Sequence, residues 1–339
     1  MATYVRTQSI DHRIGAGGRL SISVTAADVG VEAIDGDQAR VRATFEIRAG
    51  SDAQADEIFE QVQLRVHRGD ELLDLSEPDD RHAQRHGVLD ALPRIFGGHS
   101  DIDLEIQLQV PHATDLRLTT VSGDVDARGL VGEQRYQTVS GDLSLVDGGG
   151  VVRVNTVSGD AILRGDGSIV VRAESVSGDL AISAPHLVAV RAQTVSGDVE
   201  VEGALEPSGE FRVETVSGDL VVGLVGGASF EVRGLSTDIS SDVDHRLEGR
   251  HDRRRLVIGS GGPSFVFSSM SGDLAVRRPR RMAGVPQPSA PPAPPAAPAP
   301  PRSPRPPVGQ AEQLAILRAL ERGEIDIDTA TRRLAGEDA

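Results

Sequence analysis

The sequence predicts an all-β fold. It reads as a single-stranded β-solenoid of about 19-residue coils, followed by a Pro-rich linker and a small C-terminal α-hairpin. Three observations carry this reading. A pentapeptide recurs at nearly constant spacing. Apolar and polar positions alternate with period two on both sides of it. Large rings are scarce, so a core must be built from small aliphatic side chains. Of 339 residues, 38% are hydrophobic and only 3% aromatic, and there are 38 Gly. That apolar fraction suffices for a core and excludes wholesale disorder.

The string T-V-S-G-D stands at 120–124, 138–142, 156–160, 194–198 and 215–219, and S-V-S-G-D at 175–179. Degenerate copies are G-L-S-T-D at 234–238 and S-M-S-G-D at 269–273. Gly123, Gly141, Gly159, Gly178, Gly197 and Gly218 follow one another at 18, 18, 19, 19 and 21 residues. Before the turn, Leu116, Gln134, Val152, Val171, Val190, Phe211, Phe230 and Phe265 form one column. Two residues on, Leu118, Tyr136, Val154, Ala173, Ala192, Val213, Val232 and Phe267 form a second. Between them lie Arg117, Arg135, Arg153, Arg172, Arg191 and Arg212. After the turn, Val125, Leu143, Leu180, Val199 and Leu220 begin another alternation. The pattern is strand, turn, strand.

Such a unit is too short for the common helical repeats and fits one solenoid coil. Like residues would then stack about 4.8 Å apart, and seven or eight coils would make a rod of roughly 35–40 Å. In the turn, Gly is expected to supply positive φ. Ser and Asp are expected to bond nearby backbone N–H groups. Stacked aspartates repel unless donors, water or cations compensate.

The V-S-G-D repeats, the P-H-A-T-D-L-R-L stretch at 111–118 and the strand-rich segment before it resemble the "putative adhesin" family DUF4097. The resemblance spans roughly residues 14–276. It implies a β-solenoid and no established catalysis.

The expected domains are an N-terminal cap with the first coils (1–115), the repeat solenoid (116–276), an Arg/Pro-rich disordered linker (277–309) and a helical hairpin (310–339). In the first, Leu20, Ile22 and Val24, then Val29 and Val31, then Val41, Phe45 and Ile47 read as strands. Residues 51–61 read as a short helix capped by Ser51 or Asp52. Strands are expected again at 62–66 and 102–110, with a polar loop over 76–100. Residues 241–264 interrupt the period. There an extra hairpin is expected, 256–258 against 265–267. Twelve of the 19 prolines lie between Pro286 and Pro307, which favours an extended polyproline spacer. In 310–336, Leu314, Leu317 and Leu320 share a helix face, Gly323 ends it, and Asp328 caps a second helix. This stretch resembles the short helix-hairpin modules of SHOCT type. It is too small to stand alone, which predicts self-association, docking or a protein partner.

The absence of Cys excludes a disulfide scaffold, a thiolate metal site and a cysteine nucleophile. No run approaches the roughly 20 apolar residues of a membrane helix. Residues 1–14 lack the apolar core of a secretory signal, so a cytoplasmic location is expected, with peripheral envelope association as the alternative. Net charge is −16, although residues 277–310 hold six Arg and no acid. An acidic body speaks against nucleic acid as the partner, and 250–255 and 277–281 read as solvated charge.

The Asp column (Asp124, Asp142, Asp160, Asp179, Asp198, Asp219) offers oxygens of the kind Ca²⁺ takes, but turn capping is the preferred reading. The Arg column reads as a self-neutralised strand face, with Glu174 and Glu214 two residues from Arg172 and Arg212. His12, His67, His82, His86, His99, His112, His186, His245 and His251 show no ligand spacing. No catalytic, cofactor or metal residue is therefore assigned. A repeat that treats every coil alike suits a scaffold. The expected function is a non-enzymatic scaffold or protein-interaction protein, in envelope-associated assembly or stress signalling. The alternatives are a carbohydrate-binding or carbohydrate-cleaving β-helix protein, with a polymeric glycan as ligand, and a surface adhesin.

Overall fold

A computed structural model describes residues 2–78, 102–234, 236–250 and 253–279. The helical hairpin at 310–339, most of the linker and most of the loop expected at 76–100 lie outside the described residues. Residues 1–282 form one compact unit. The chain is mostly β, with a single helix among the described residues.

The N-terminal elements are β1 (Ala2–Arg13), β2 (Arg19–Ser23), β3 (Asp28–Ile34), β4 (Gln38–Ala49) and α1 (Asp52–Val62). Then come β5 (Arg65–Arg68), β6 (Leu72–Ser76) and β7 (Ile102–Pro111). The repeats supply β8 (Asp115–Thr119), β9 (Val125–Arg128), β10 (Glu133–Gln137), β11 (Leu143–Asn155), β12 (Ala161–Glu174) and β13 (Leu180–Gln193). They continue with β14 (Val199–Leu205), β15 (Phe211–Glu214), β16 (Leu220–Val225), β17 (Ala228–Gly234) and β18 (Ile239–Ser241). The last strands among the described residues are β19 (His245–Arg250), β20 (Arg253–Ile258), β21 (Ser264–Ser269) and β22 (Leu274–Arg277).

Strands before the turns pair in parallel in the order β2, β8, β10, β11, β12, β13, β15, β21, β17. Strands after the turns pair in parallel as β3, β9, β11, β12, β13, β14, β16, β22, β18. Register is one to one through each turn, so Leu116, Gln134, Val152, Val171 and Val190 lie in line. The apolar columns from the two sets of strands are buried and make one core. β11, β12 and β13 are long because the strand leaving one turn runs on into the strand approaching the next. Register shifts such as that between Leu145 and Gly148 mark the corners.

The order is not the order of the chain at the C-terminal end. The repeat at 269–273 lies between that at 215–219 and that at 234–238, because β21 pairs with both β15 and β17. The ring of Phe265 lies between those of Phe211 (6.0 Å) and Phe230 (5.3 Å). The hairpin expected from 256–258 and 265–267 is corrected accordingly. β20 pairs antiparallel with β19 and with β17, and β17 separates it from β21.

The other end is closed by β6 beside β2, and by β7, β4 and β1 beside β3. β1 pairs with β4 along its whole length, and was not expected because polar residues dominate both its faces. The strand expected at 62–66 begins only at Arg65, since Val62 closes α1. Ser51 caps α1 by accepting from the Gln54 N–H (3.3 Å), and Gln54 returns a bond from the Gly50 N–H (2.9 Å). Arg6 on β1 grips Asp52 (2.5 Å) and Asp56 (2.7 Å), and Phe59 meets Phe45 edge-on at 5.3 Å.

One layer holds a polar pair in the core. The Tyr136 hydroxyl donates to Gln134 Oε1 (2.8 Å), and Gln134 Nε2 donates to the carbonyls of Leu130 and Gly149 (3.1 Å each). Burial holds the Tyr136 hydroxyl protonated well beyond the ordinary range. The neighbouring layer has Val152 and Val154 at these positions. Tyr136→Phe should therefore destabilise by about 1–2 kcal/mol in urea unfolding, because Gln134 loses a buried donor. The double change Gln134→Val with Tyr136→Val should cost less than the single one.

Candidate functional site

The repeated turn is the most regular surface of the molecule. Its glycine is required chiefly by close approach, not by backbone angle. φ is positive at Gly123 (120°) and Gly141 (148°), but not at Gly159, Gly178, Gly197, Gly218 or Gly272. This corrects the expectation that every turn glycine serves a positive φ. A Cβ at Gly159 would lie 2.1 Å from the Gly141 carbonyl oxygen, and at Gly178, Gly197 and Gly218 2.0 Å from that of the layer before. At Gly272 the distance to the Gly218 oxygen would be 1.9 Å. The two end layers carry Ala27 and Thr237 instead.

The aspartates are bound across layers. Each Oδ1 accepts the backbone N–H of the aspartate one layer on: Asp28 from Asp124 (3.0 Å), Asp124 from Asp142 (2.9 Å), Asp142 from Asp160 (3.0 Å) and Asp160 from Asp179 (2.9 Å). The series continues through Asp198 (2.9 Å), Asp219 (2.8 Å), Asp273 (2.8 Å) and Asp238 (2.7 Å). Backbone donors thus offset the repulsion of stacked carboxylates. Asp28 was not recognised from the sequence, although T-A-A-D at 25–28 keeps the aspartate and its position. No group of three acids or histidines able to hold a metal occurs among the described residues.

Behind the aspartates, Ser175, Thr194, Thr215 and Ser269 point inward and accept from the glycine N–H three residues on, at 3.0, 3.1, 2.7 and 2.7 Å. In front, the V of V-S-G-D is buried at Val121, half-buried at Val139 and Val157, and exposed in the later layers. Val176 is 47% exposed, Val195 46%, Val216 43% and Met270, in the next layer, 56%. Apolar side chains therefore line the edge beside the aspartates. This row was legible in the repeat and was not singled out.

The arginines lie on the outward face of the strands before the turns. Arg117, Arg135, Arg153, Arg172, Arg191 and Arg212 are in register in six consecutive layers. Among the described residues two of them form ion pairs, Arg153 with Glu133 and Arg212 with Glu214, and Arg191 also acts on the Glu214 carboxyl through its charge. Arg212 holds the Glu214 carboxyl below the usual carboxylate range. The expected self-neutralised face is corrected to this extent: Glu174 makes no pair with Arg172. Of the histidines, His12 Nε2 meets the Gly69 carbonyl (2.7 Å), His112 that of Gly129 (2.8 Å) and His245 that of Val243 (3.0 Å). His82, His86, His99 and His251 lie outside the described residues. Of the two basic runs, Arg277 pairs with Glu200 and Arg254 donates to the Thr237 carbonyl.

Two substitutions test the turn. Gly178→Ala should destabilise by about 1–3 kcal/mol, since backbone atoms must move. Gly167→Ala, with nothing within 4 Å, should stay near neutral by thermal unfolding. Asp160→Ala should cost about 1 kcal/mol and speed hydrogen exchange at the Asp179 amide. Asp160→Asn keeps the acceptor oxygen and should leave that exchange slow.

Residues 101–189 match the family model described as Toastrack DUF4097. No curated protein matches the chain. Among solved structures, a "putative adhesin" of Bacteroides fragilis NCTC 9343 is 11% identical, covers 80% of this chain and 97% of its own, and has a TM-score of 0.33. A "putative lipid binding protein" of Parabacteroides distasonis ATCC 8503 is 12% identical, with 81% and 97% covered and a TM-score of 0.34. A "putative cell adhesion protein" of Clostridium sporogenes ATCC 15579 is 10% identical, with 80% and 100% covered and a TM-score of 0.27. The repeated turns from 120–124 to 175–179 fall within the matched stretch, so over residues 101–189 the chain is similar to the Toastrack DUF4097 family.

Proposed function

We propose that the protein is a non-enzymatic scaffold: a β-solenoid that presents a repeated edge to protein partners. One observation carries the reading. The same inter-layer hydrogen bond recurs from Asp28 to Asp238, so successive layers offer the same chemistry along one edge. Catalysis needs a few groups set apart from their surroundings. A continuous edge of exposed Val176, Val195, Val216 and Met270 beside carboxylates suits an extended partner instead. The winding itself is supported by parallel pairing of every repeat with the next layer and by strands that continue from one turn towards the following one.

The C-terminal segment completes the proposal from its sequence. The prolines between Pro286 and Pro307 provide a spacer, and the leucine face of 310–336 provides self-association or a docking module. No helix among the described residues is long and apolar enough to cross a membrane.

Affinity capture from native lysate, with light scattering of the purified protein, tests both parts. Val195→Ser with Val216→Ser should lose captured proteins without loss of fold. Removal of residues 283–339 should lower the mass in solution or change the captured set, while the β circular dichroism of the first compact unit persists. An unchanged mass and an unchanged set of captured proteins in both variants would overturn the proposal.

A further inference from the structure

The antiparallel strands at the two ends of the stack cover different amounts of it. At the N-terminal end both sheets are extended, by β6 and β5 beside β2 and by β7, β4 and β1 beside β3. A core column finishes there under cover: Leu108, Val41 and Ile10 follow Val31 in register, and Ile10 is 2% exposed. The Gln8 side chain on β1 bonds both backbone groups of Leu64 (3.0 and 2.9 Å), just before β5.

At the C-terminal end one sheet alone is extended. β20 and β19 continue it beyond β17, whereas in the other sheet β18 pairs only with β22 among the described residues. The core column Val190, Phe211, Phe265, Phe230, Leu256 ends on Leu247 of β19. The first five are at most 1% exposed, and Leu247 is 53% exposed. The column after the turns ends on Ile239, half-buried beside a buried Leu274. One sheet thus overhangs the other by two strands, with an apolar side chain bare on the overhang.

The free backbone groups lie on the same residues. Asp238 and Asp242 bond β22 through the Leu274 N–H and the Val276 carbonyl. By the alternation of a ladder, Ile239 and Ser241 turn their N–H and C=O groups away from β22. In β19, the Asp244 carbonyl accepts the Gly259 N–H, which leaves His245 and Leu247 turned away from β20. β19 is antiparallel to β20 and β20 to β17, so β19 runs with the strands before the turns. β18 follows a turn and runs the other way.

We propose that this end is an interface between two copies of the chain, lapped about a two-fold axis along the strands. The overhang of each copy fills the shortfall of the other, so β19 of one pairs antiparallel with β18 of the other, twice. Residues with core-facing side chains then meet as hydrogen-bonded pairs, both Leu247 side chains enter a continuous core, and no strand edge remains at the joint. In the register that sets Leu247 opposite Ser241, the exposed Asp242 falls opposite the exposed Arg246, an opposite-charge pair made twice. An unrelated extended peptide could serve β18 but would leave β19 bare, whereas a second copy supplies both strands. The interface is separate from the protein-partner edge at the turns and does not depend on it.

Sedimentation of the full chain at rising concentration, with hydrogen exchange read in peptides spanning β18 and β19, tests this. A dimer should form, and its formation should slow exchange in both peptides. Leu247→Asp should weaken the dimer at least about tenfold with unchanged thermal unfolding, because the carboxylate would be buried without a partner. Arg246→Asp should weaken it, and adding Asp242→Arg should restore it. Val5→Asp, at a 55% exposed apolar site on β1, should leave it unchanged. Four results would each overturn the proposal: a monomer at every concentration, slow exchange of both peptides already in the monomer, a dimer undiminished by Leu247→Asp, or equal weakening by Val5→Asp.

Discussion

The approach of one turn glycine onto the carbonyl of the glycine before it sets the spacing on which the rest depends. A Cβ at Gly159, Gly178, Gly197, Gly218 or Gly272 would lie 1.9–2.1 Å from that oxygen, so backbone would have to move. With hydrogen in its place, the aspartate one residue on reaches the next layer's N–H at 2.7–3.0 Å. The stack is thereby held at its corner as well as through its ladders. The side chain best suited to capping its own turn caps its neighbour's, which ties each repeat to the next.

That arrangement assigns roles to the remaining surfaces. In four layers the inward Ser175, Thr194, Thr215 and Ser269 accept the glycine N–H behind the turn, whereas the Thr138 and Thr156 hydroxyls are buried without a partner. Valine or methionine is exposed at the edge in the layers of Val176, Val195, Val216 and Met270, with the aspartates beside them. Both ends need closure, since a stacked strand offers unpaired N–H and C=O groups. Antiparallel strands do this at each end: β4 with β1 and α1 at one, β20 with β19 at the other.

Much of this was legible in the residues. Period-two columns around a fixed pentapeptide can be satisfied only if like positions share a face, so Leu116 to Phe211 and Leu118 to Val213 fell into their buried lines. The order of the last repeats was not legible from spacing, because G-L-S-T-D and S-M-S-G-D depart from the consensus to a similar degree. A physical signal was nevertheless present. In 234–238 Gly and Thr have exchanged places, and Thr237 Oγ1 fills the space a side chain at Gly234 would take. The inner layer keeps the central glycine at Gly272, and the terminal layer has Thr237 in its place. The state of the arginine row was equally hidden: Glu174 and Glu214 bear the same sequence relation to Arg172 and Arg212, yet only the second pair closes. Ion pairing on an exposed face depends on rotamers that spacing does not specify.

The absence of cysteine makes a direct test of the stacking order available. Cysteines placed at Ser217 and Ser271 fall in adjacent layers, about 4.8 Å apart and within disulfide range. A pair at Ser217 and Ser236 is separated by the intervening layer. Under mild oxidation, with peptide mapping by mass spectrometry, the first pair should cross-link nearly completely and the second should stay reduced. Cross-linking of the 217–236 pair with none at 217–271 would place the repeats in chain order and contradict the account.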